Sequence, residues 1–461
     1  MQKRMFMIPL TVIIIITGIW ACKYGGIGPA GIDLSVLNKK NDGGGGSGLV
    51  VNDSIIGYNG EITYGVGTKI VPNMDNAIEV FPFQDGTAYY RIPALVVTTN
   101  GTLLAFADRR YNNRNDLPNK IEVDVKRSTN NGTNWSRRIR ITPPSSDNNS
   151  GYGDTAAVVV RNSNMVLALV ASHRGFKQST SNDPIRIQLF RSSDEGLTWQ
   201  GPEDITAQIY GAKCQDTTRK EWTAAFVSSG NGIQLSTGRI LFVLNVRENS
   251  QWNVKLFKNY VMYSDDGGYT WNVSKNAPAN VVGGNEAKIV ELNDGRLLMT
   301  ARPSGGNKRM HAYSSDRGET WSDATAHKDI TVAGSNGDMI YYTSIKNGWD
   351  TNRIIHFIPT STAPALNNAG NMQANGPANP YFYYSYDDGE TFKKSPAVRL
   401  GQQTGYSSLA VLHDGSIGVL FEDKSWGGPI KFMRVNFEWI SVGKDKGPQK
   451  ATATTTEDDK K

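Results

Sequence analysis

Cysteine is nearly absent: the 461-residue chain has two, Cys22 and Cys214. A fold built on a disulfide framework is thereby excluded. Histidine is scarce too. The five, His173, His311, His327, His356 and His413, show no ligand spacing, so no metal and no cofactor are expected. Charge of one sign is lacking. Lys+Arg 49 against Asp+Glu 43 leave a scattered +6, too weak to argue for a nucleic-acid partner. Long apolar runs are missing beyond the N-terminus, which excludes a multi-span membrane protein. With 38% hydrophobic and 20% charged residues the chain is not disordered throughout. What it has in abundance is glycine (48), tryptophan (10) and tyrosine (19). Together with repeated Asn-Gly and Asp-Gly pairs, these point to short strands and tight hairpins.

At the N-terminus Lys3 and Arg4 precede an apolar run from Met5 to Ala21, interrupted by Pro9. Residues 11–17 read as the core of a signal peptide rather than a membrane span. Ile19-Trp20-Ala21-Cys22 resembles the lipobox of bacterial lipoproteins, although Trp20 is bulky for that position. The expectation is an extracytoplasmic protein: a cell-surface or outer-membrane lipoprotein, otherwise periplasmic or secreted. Its membrane contact would be an anchor on Cys22, leaving Cys214 a free, non-catalytic thiol. Residues 1–22 are thus signal, and 23–75 a linker that includes Gly43-Gly-Gly-Gly-Ser-Gly48. Residues 76–441 form the folded domain, expected to be monomeric, and 442–461 a disordered tail.

Two hairpin types alternate in that domain. In the first, two apolar strands flank a tight polar turn. It occurs six times, at residues 94–108, 156–171, 232–245, 287–301, 339–359 and 409–423. The second carries Ser-x-Asp-x-Gly-x-Thr-Trp at its turn, at 192–199, 264–271 and 314–321. At 385–392 Phe392 replaces the tryptophan, and at 128–135 Asn130 and Asn134 replace Asp and Thr. These are Asp-box repeats. The first-type turns recur about every 63 residues. Two hairpins make a four-stranded sheet, and a radial array of such sheets is a propeller. The expected fold is all-β, a six-bladed β-propeller. Its sixth blade lacks a box and would be completed by residues 430–440 and an N-terminal strand near 77–81. The boxes read as structural: their Ser and Asp brace the turn and their Trp packs between blades.

Strand direction places both turn types at one face, so the starts of first strands and ends of second strands share the opposite mouth. There the sequence sets Arg91, Asp108, Arg109, Arg110, Asp116, Asp154, His173, Arg174, Glu221, Trp222, Arg247, Glu248, Glu286, Arg302, Asp338, Tyr406, Glu422 and Asp423. Converging arginines and carboxylates suit an anionic polar ligand.

Over residues 76–441 the chain resembles bacterial sialidases, with Tyr90-Arg91-Ile92-Pro93 matching that family's Arg-Ile-Pro motif. The resemblance implies an exo-alpha-sialidase. It implies that Arg91 and Arg302 grip the substrate carboxylate and Arg110 meets the far side of the sugar. Asp116 would be the acid/base and Asp154 a contact near the N-acyl group. Tyr406 would be the nucleophile, Glu286 its activating base, and Glu422 the group that orients Arg91. One departure stands out. The family's third carboxylate-binding arginine belongs after the second strand of blade five, yet none occurs between Arg353 and Arg399. Gln373 and Asn375 occupy that region; Arg174 or Arg247 would have to swing in, or the grip has two arginines.

The chemistry suits these residue types. Guanidinium forks match a carboxylate and stay charged. A carboxylate nucleophile approaching the sialic-acid carboxylate at ~4 Å would meet roughly 4 kcal/mol of repulsion at an effective dielectric near 20. Sialidases, the known exceptions to the two-carboxylate scheme, use a tyrosine instead. The implied reaction retains configuration through a covalent sialyl-tyrosine. Its substrates would be sialylated glycoproteins, glycolipids or oligosaccharides. Two alternatives remain open: a catalytically impaired, lectin-like sialoglycan-binding propeller, and a trans-sialidase.

Overall fold

The computed structural model describes residues 72–449, except 162, 280–282, 305–307, 332–334, 362–363, 367–371, 375–377, 400–403 and 425–427. The signal, lipobox and glycine linker, and residues 450–461 of the tail, lie outside the described residues.

Among the described residues six sheets, one per blade, form a β-propeller, and Pro364–Leu366 pairs with Met372–Ala374 in a separate two-stranded sheet. Blade one is built on Ala88–Val97, Leu103–Tyr111, Ile121–Ser128 and Ile139–Arg140. Blade two uses Tyr152–Val159, Val166–His173, Ile185–Ser192 and Gln200–Asp204. Blade four runs Gly284–Glu291, Leu297–Pro303, Lys308–Ser314 and Thr325–Thr331. Blade five runs Asp338–Thr343, Arg353–Ser361, Ala378–Ser385 and Lys393–Lys394. Blade six pairs Thr404–Val411, Ile417–Asp423 and Ile430–Val435 with Ile78–Phe81 as its outer strand. The N-terminal strand thus closes the ring, as the sequence predicts.

Side-chain alternation explains how the blades stack. Successive residues of a strand face opposite sides of the sheet. Ala94 and Val96 face blade two, packing with Ala157, Val159 and Phe190. Leu95 and Val97 face blade six, packing with Leu412, Leu420 and Phe432. Similar buried layers join blades two and three, three and four, four and five, and five and six.

The Asp boxes are turn braces. In each intact copy the Ser hydroxyl accepts from the Gly amide, as Ser264 does from Gly268 at 2.8 Å, while Asp266 accepts from the Thr270 amide and hydroxyl at 2.9 and 2.6 Å. Gly268 sits at φ +94, and a Cβ there would lie 2.5 Å from Leu167 of the neighbouring blade. Box tryptophans bridge blades: Trp199 meets Phe106 edge-on at 5.6 Å and Trp135 meets Phe432 at 5.4 Å. The two turn types share a face, since Thr102 donates to Glu195 in the next blade's box at 2.6 Å.

Four expectations are corrected. Blade three's first strand begins earlier, at Ala224–Val227, and is interrupted. Gly230–Asn231 leaves it to pair with Tyr152–Val159 of blade two before Ile233–Gln234 rejoins. The strand expected over 430–440 stops at Val435, because the Asn436 side chain caps the amide of Trp439 and starts the short helix Phe437–Ile440. The tail from 442 to 449 is anchored, not free: Asp445 pairs with the buried Arg353 at 2.8 Å. Likewise Met74 and Asp75, expected in the linker, pack on the propeller, Met74 in the core and Asp75 3.3 Å from Arg399. Cys214 is free and buried.

Burial alone would raise the Asp266 carboxyl, but the bonds from Thr270 and its neighbours outweigh it and hold it at about 2. A carboxyl lowered by folding stabilises above its unfolded value and loses that contribution as pH falls through the folded one. Asp266→Asn is therefore expected to destabilise the propeller near neutral pH. The deficit should fade between about pH 4 and about pH 2, read by denaturant unfolding across pH.

Candidate active site

Four first strands carry a register irregularity where they meet the mouth: between Arg91 and Ala94, Gly153 and Ala156, Gly284 and Ala287, and Thr404 and Ser407. A bulge re-aims a side chain out of the strict alternation. Those irregularities hold Arg91, Asp154, Glu286 and Tyr406, four of the eight residues singled out from the sequence. Ile92 at φ +58 and Asp154 at φ +57 record the local distortion.

Glu422, on blade six, is the organiser. Its two oxygens take the Arg91 guanidinium at 3.1 and 3.2 Å, the Ile92 amide at 3.0 Å and the Tyr406 amide at 3.1 Å. Gly405 makes this possible, because a Cβ there would fall 2.0 Å from Glu422 Oε2. Arg91 lies over the Tyr406 ring, 5.6 Å from its centroid.

Tyr406, Glu286 and Arg302 form a closed triangle. The Tyr406 hydroxyl donates to Glu286 Oε1 in a short bond. Arg302 Nη1 donates to Glu286 Oε2 at 2.8 Å and to the Tyr406 oxygen at 3.2 Å. Burial, then the Glu286 charge, push the Tyr406 phenol well above its ordinary range, against the pull of Arg302 and Arg91. The phenol is therefore neutral in the empty site, with its proton already directed at a carboxylate.

A second group surrounds Arg110, which is fully buried. Its guanidinium meets Asp108 at 2.9 Å, Asp116 at 2.6 Å and the Arg114 carbonyl at 2.8 Å. Asp108 also accepts the Asp154 amide at 3.0 Å. Burial raises Asp108 to about 6 although Arg110 opposes it. Burial, then the charges of Asp108 and Asp116, raise Asp154 well above the carboxylate range. Asp116 goes the other way: desolvation by the protein around it opposes ionisation, but the Arg110 charge and bond bring it below the usual value. Its side chain is 64% exposed on the rim. Charges cross between the two groups, since Arg91 acts on Asp116 and Glu286 on Asp154.

All eight residues are thus gathered into one electrostatically connected funnel. Other rim residues are not. Arg174 is spent on Asp183 at 2.6 Å, with His173 beside it at 2.7 Å. Arg247 donates to backbone carbonyls, that of Ser179 at 2.6 Å among them. Neither replaces the missing third arginine. Gln373 lies in a short strand, Met372–Ala374, and Asn375 falls outside the described residues. Asp108 was placed on the rim but given no role; its part in holding Arg110 was not legible, because the pair forms through residues two apart on one strand. Among the described residues no cluster of His, Cys, Asp and Glu could hold a metal ion.

Gly405→Ala is expected to lower stability by about 1–3 kcal/mol through overpacking against Glu422, and to loosen the Arg91 pair. Denaturant unfolding and a structure of the variant read the two effects.

Comparison with known proteins bears on this site. Residues 92–353 match the model of the BNR repeat-like domain. A sialidase of Bacteroides fragilis is 27% identical over 358 residues, covering 73% of this chain and 60% of that protein. A sialidase of Paraclostridium sordellii is 29% identical over 383 residues, covering 80% and 89%. The chain spans little more than half of some of these relatives. Among solved structures, a leech intramolecular trans-sialidase superposes with a TM-score of 0.65 at 19% identity, covering 79% of this chain and 71% of that one. Trypanosoma rangeli sialidase does so at 0.62 and 18%, covering 80% and 60%. With more than half its length matched, the chain belongs to the BNR repeat-like domain family, and its relatives in sequence and fold are sialidases.

Proposed function

We propose that the protein is an exo-alpha-sialidase, a glycoside hydrolase that releases terminal sialic acid with retention of configuration. The observation that carries the reading is the Tyr406–Glu286–Arg302 triangle: a neutral phenol bonded to a carboxylate, with a guanidinium against both.

Arg91 and Arg302 bind the sugar carboxylate. The Tyr406 oxygen attacks the anomeric carbon as the glycosidic C–O bond breaks. Its proton passes to Glu286, so nucleophilicity grows as the bond forms. Asp116 gives a proton to the departing oxygen. A sialyl-tyrosine results. Water then attacks the same carbon, its proton returns to Asp116, and Tyr406 leaves with the proton held by Glu286. Two inversions give net retention. Arg110 and Asp154 face the far side of the ring. The signal and lipobox-like sequence favour a site of action outside the cytoplasm, on sialylated glycoproteins, glycolipids or oligosaccharides.

A fluorogenic sialoside tests this directly. Dye release is expected, with the alpha anomer of sialic acid formed first by NMR. Tyr406→Phe is expected to cut kcat about a thousandfold or more while glycan binding persists. Binding without release in the parent protein would leave a lectin-like propeller and defeat the reading. Asp116→Asn should lose about a hundredfold on sialyllactose and much less on the aryl sialoside, whose leaving group needs no proton.

A further inference from the structure

Each cation in the funnel carries its own counter-charge. Arg91 is matched by Glu422, Arg110 by Asp108 and Asp116, and Arg302 by Glu286. A site so neutralised has little to offer an anionic sugar. One charge stands outside this balance. Arg309 is fully buried, and among the described residues no carboxylate pairs with it. Its Nε donates to Thr300 Oγ1 at 3.0 Å, and its other nitrogens lie 3.5 Å from the Ser335 and Thr300 carbonyls.

Register puts it behind the triangle. Ala287 opposes Ala301, and Ala301 opposes Met310. Glu286 precedes the first, Arg302 follows the second and Arg309 precedes the third. The three therefore form one row across three adjacent strands of blade four. Glu286 and Arg302 act on Arg309 electrostatically, ahead of the more distant Asp338. Asp338 is itself offset by Lys288. Burial keeps His311 and His356 well below the imidazole range, so they stay neutral and add no charge. Burial brings Arg309 down to about 9, still cationic near neutral pH.

We propose that Arg309, one strand further out in the same row, supplies the positive charge that the absent third arginine would bring, leaving Arg302 free to bind the substrate carboxylate although it is paired with Glu286. Arg309 touches no ligand; it is a positioning residue acting through Glu286 and Arg302. An unpaired buried guanidinium costs the fold free energy, and replacing such a group by an apolar one is often neutral or stabilising. Its presence beside an anion site is explained by that site. The inference rests on the sialidase reading.

The test compares Arg309→Met, Arg309→Gln and Arg309→Lys in the full chain. The readouts are KM and kcat on the aryl sialoside, calorimetric Kd for 2-deoxy-2,3-didehydro-N-acetylneuraminic acid, and thermal unfolding. The neutral variants are expected to raise KM and Kd about tenfold with kcat changed less than threefold, and the Lys variant to stay within about threefold of the parent. Should Arg309→Met fail to fold, Arg309→Gln, which can keep the bond to Thr300, carries the comparison. A folded neutral variant that binds as the parent does, or a Lys variant as weak as Gln, overturns the proposal. A parent protein that neither cleaves the sialoside nor binds the analogue overturns the sialidase reading instead.

Discussion

One carboxylate joins the two ends of the ring. Glu422 sits on the last blade, yet three of its donors come from Arg91 and Ile92 on the first, and a fourth is the amide of Tyr406. Arg91 and Tyr406 are 315 residues apart in number and come together only because Ile78–Phe81 pairs with Ile430–Val435 and closes the circle. The site is a consequence of closure. A carboxylate buried with that many donors is satisfied in full, whereas removing Arg91 would strand a buried charge, which costs far more than the pair contributes. Fold and site therefore share one polar contact.

Much of this architecture could be read from the chain because its information is local. A hairpin turn needs residues that accept positive φ, and an Asp box needs its Ser, Asp and Gly within one short loop. Such features survive in single-sequence letters, and they gave blade number, turn face and the closing strand. The site residues were legible for a different reason: Arg91, Glu286, Arg302 and Tyr406 match a family pattern at strand ends. What stayed hidden depends on register. The bulges at Arg91, Asp154, Glu286 and Tyr406 alter alternation by one residue without any turn signal in the letters. The same holds for Arg309, which lies opposite Arg302 only once three strands are aligned. The path of Gly230–Asn231 was also invisible, since a two-residue excursion to another blade has no periodicity. There the Asn231 side chain reaches the Leu409 carbonyl of blade six at 2.7 Å.

The floor of the funnel is polar where a small propeller core would be expected to be apolar. Lys288 is buried and donates to the Ser229 carbonyl, and Asp338 takes the Leu409 amide at 2.6 Å. The Asn336 side chain brackets Ser407, donating to its carbonyl at 3.2 Å and accepting its amide at 3.1 Å. The bonds to Ser407 and Leu409 fix the backbone after position 406, and the Ser335 hydroxyl, donating to the Gly405 carbonyl at 3.0 Å, fixes it before. In the proposed reaction, a nucleophile on a strand held this way loses little freedom, which is the structural form of preorganisation.

The carboxylates around Arg110 pose the remaining constraint. Two bond to its guanidinium and Asp154 feels its charge, while desolvation resists ionisation of all three. Asp108 rises to about 6 and Asp154 rises well above the usual carboxylate range, while Asp116 alone drops. The inner carboxyls thus hold a proton more readily than an ordinary carboxylate, and the rim carboxyl gives one up more readily. In the proposed reaction this leaves Asp116 ready as a base, the form needed when water enters. Acid work requires the opposite state. A sugar that covers the funnel strips water from Asp116, and desolvation raises a carboxyl. The same sugar competes for Arg110, the group that holds Asp116 down. On the proposed reading, substrate binding and protonation of Asp116 favour each other. A rim aspartate 64% exposed when the site is empty can respond in this way, where a buried one could not.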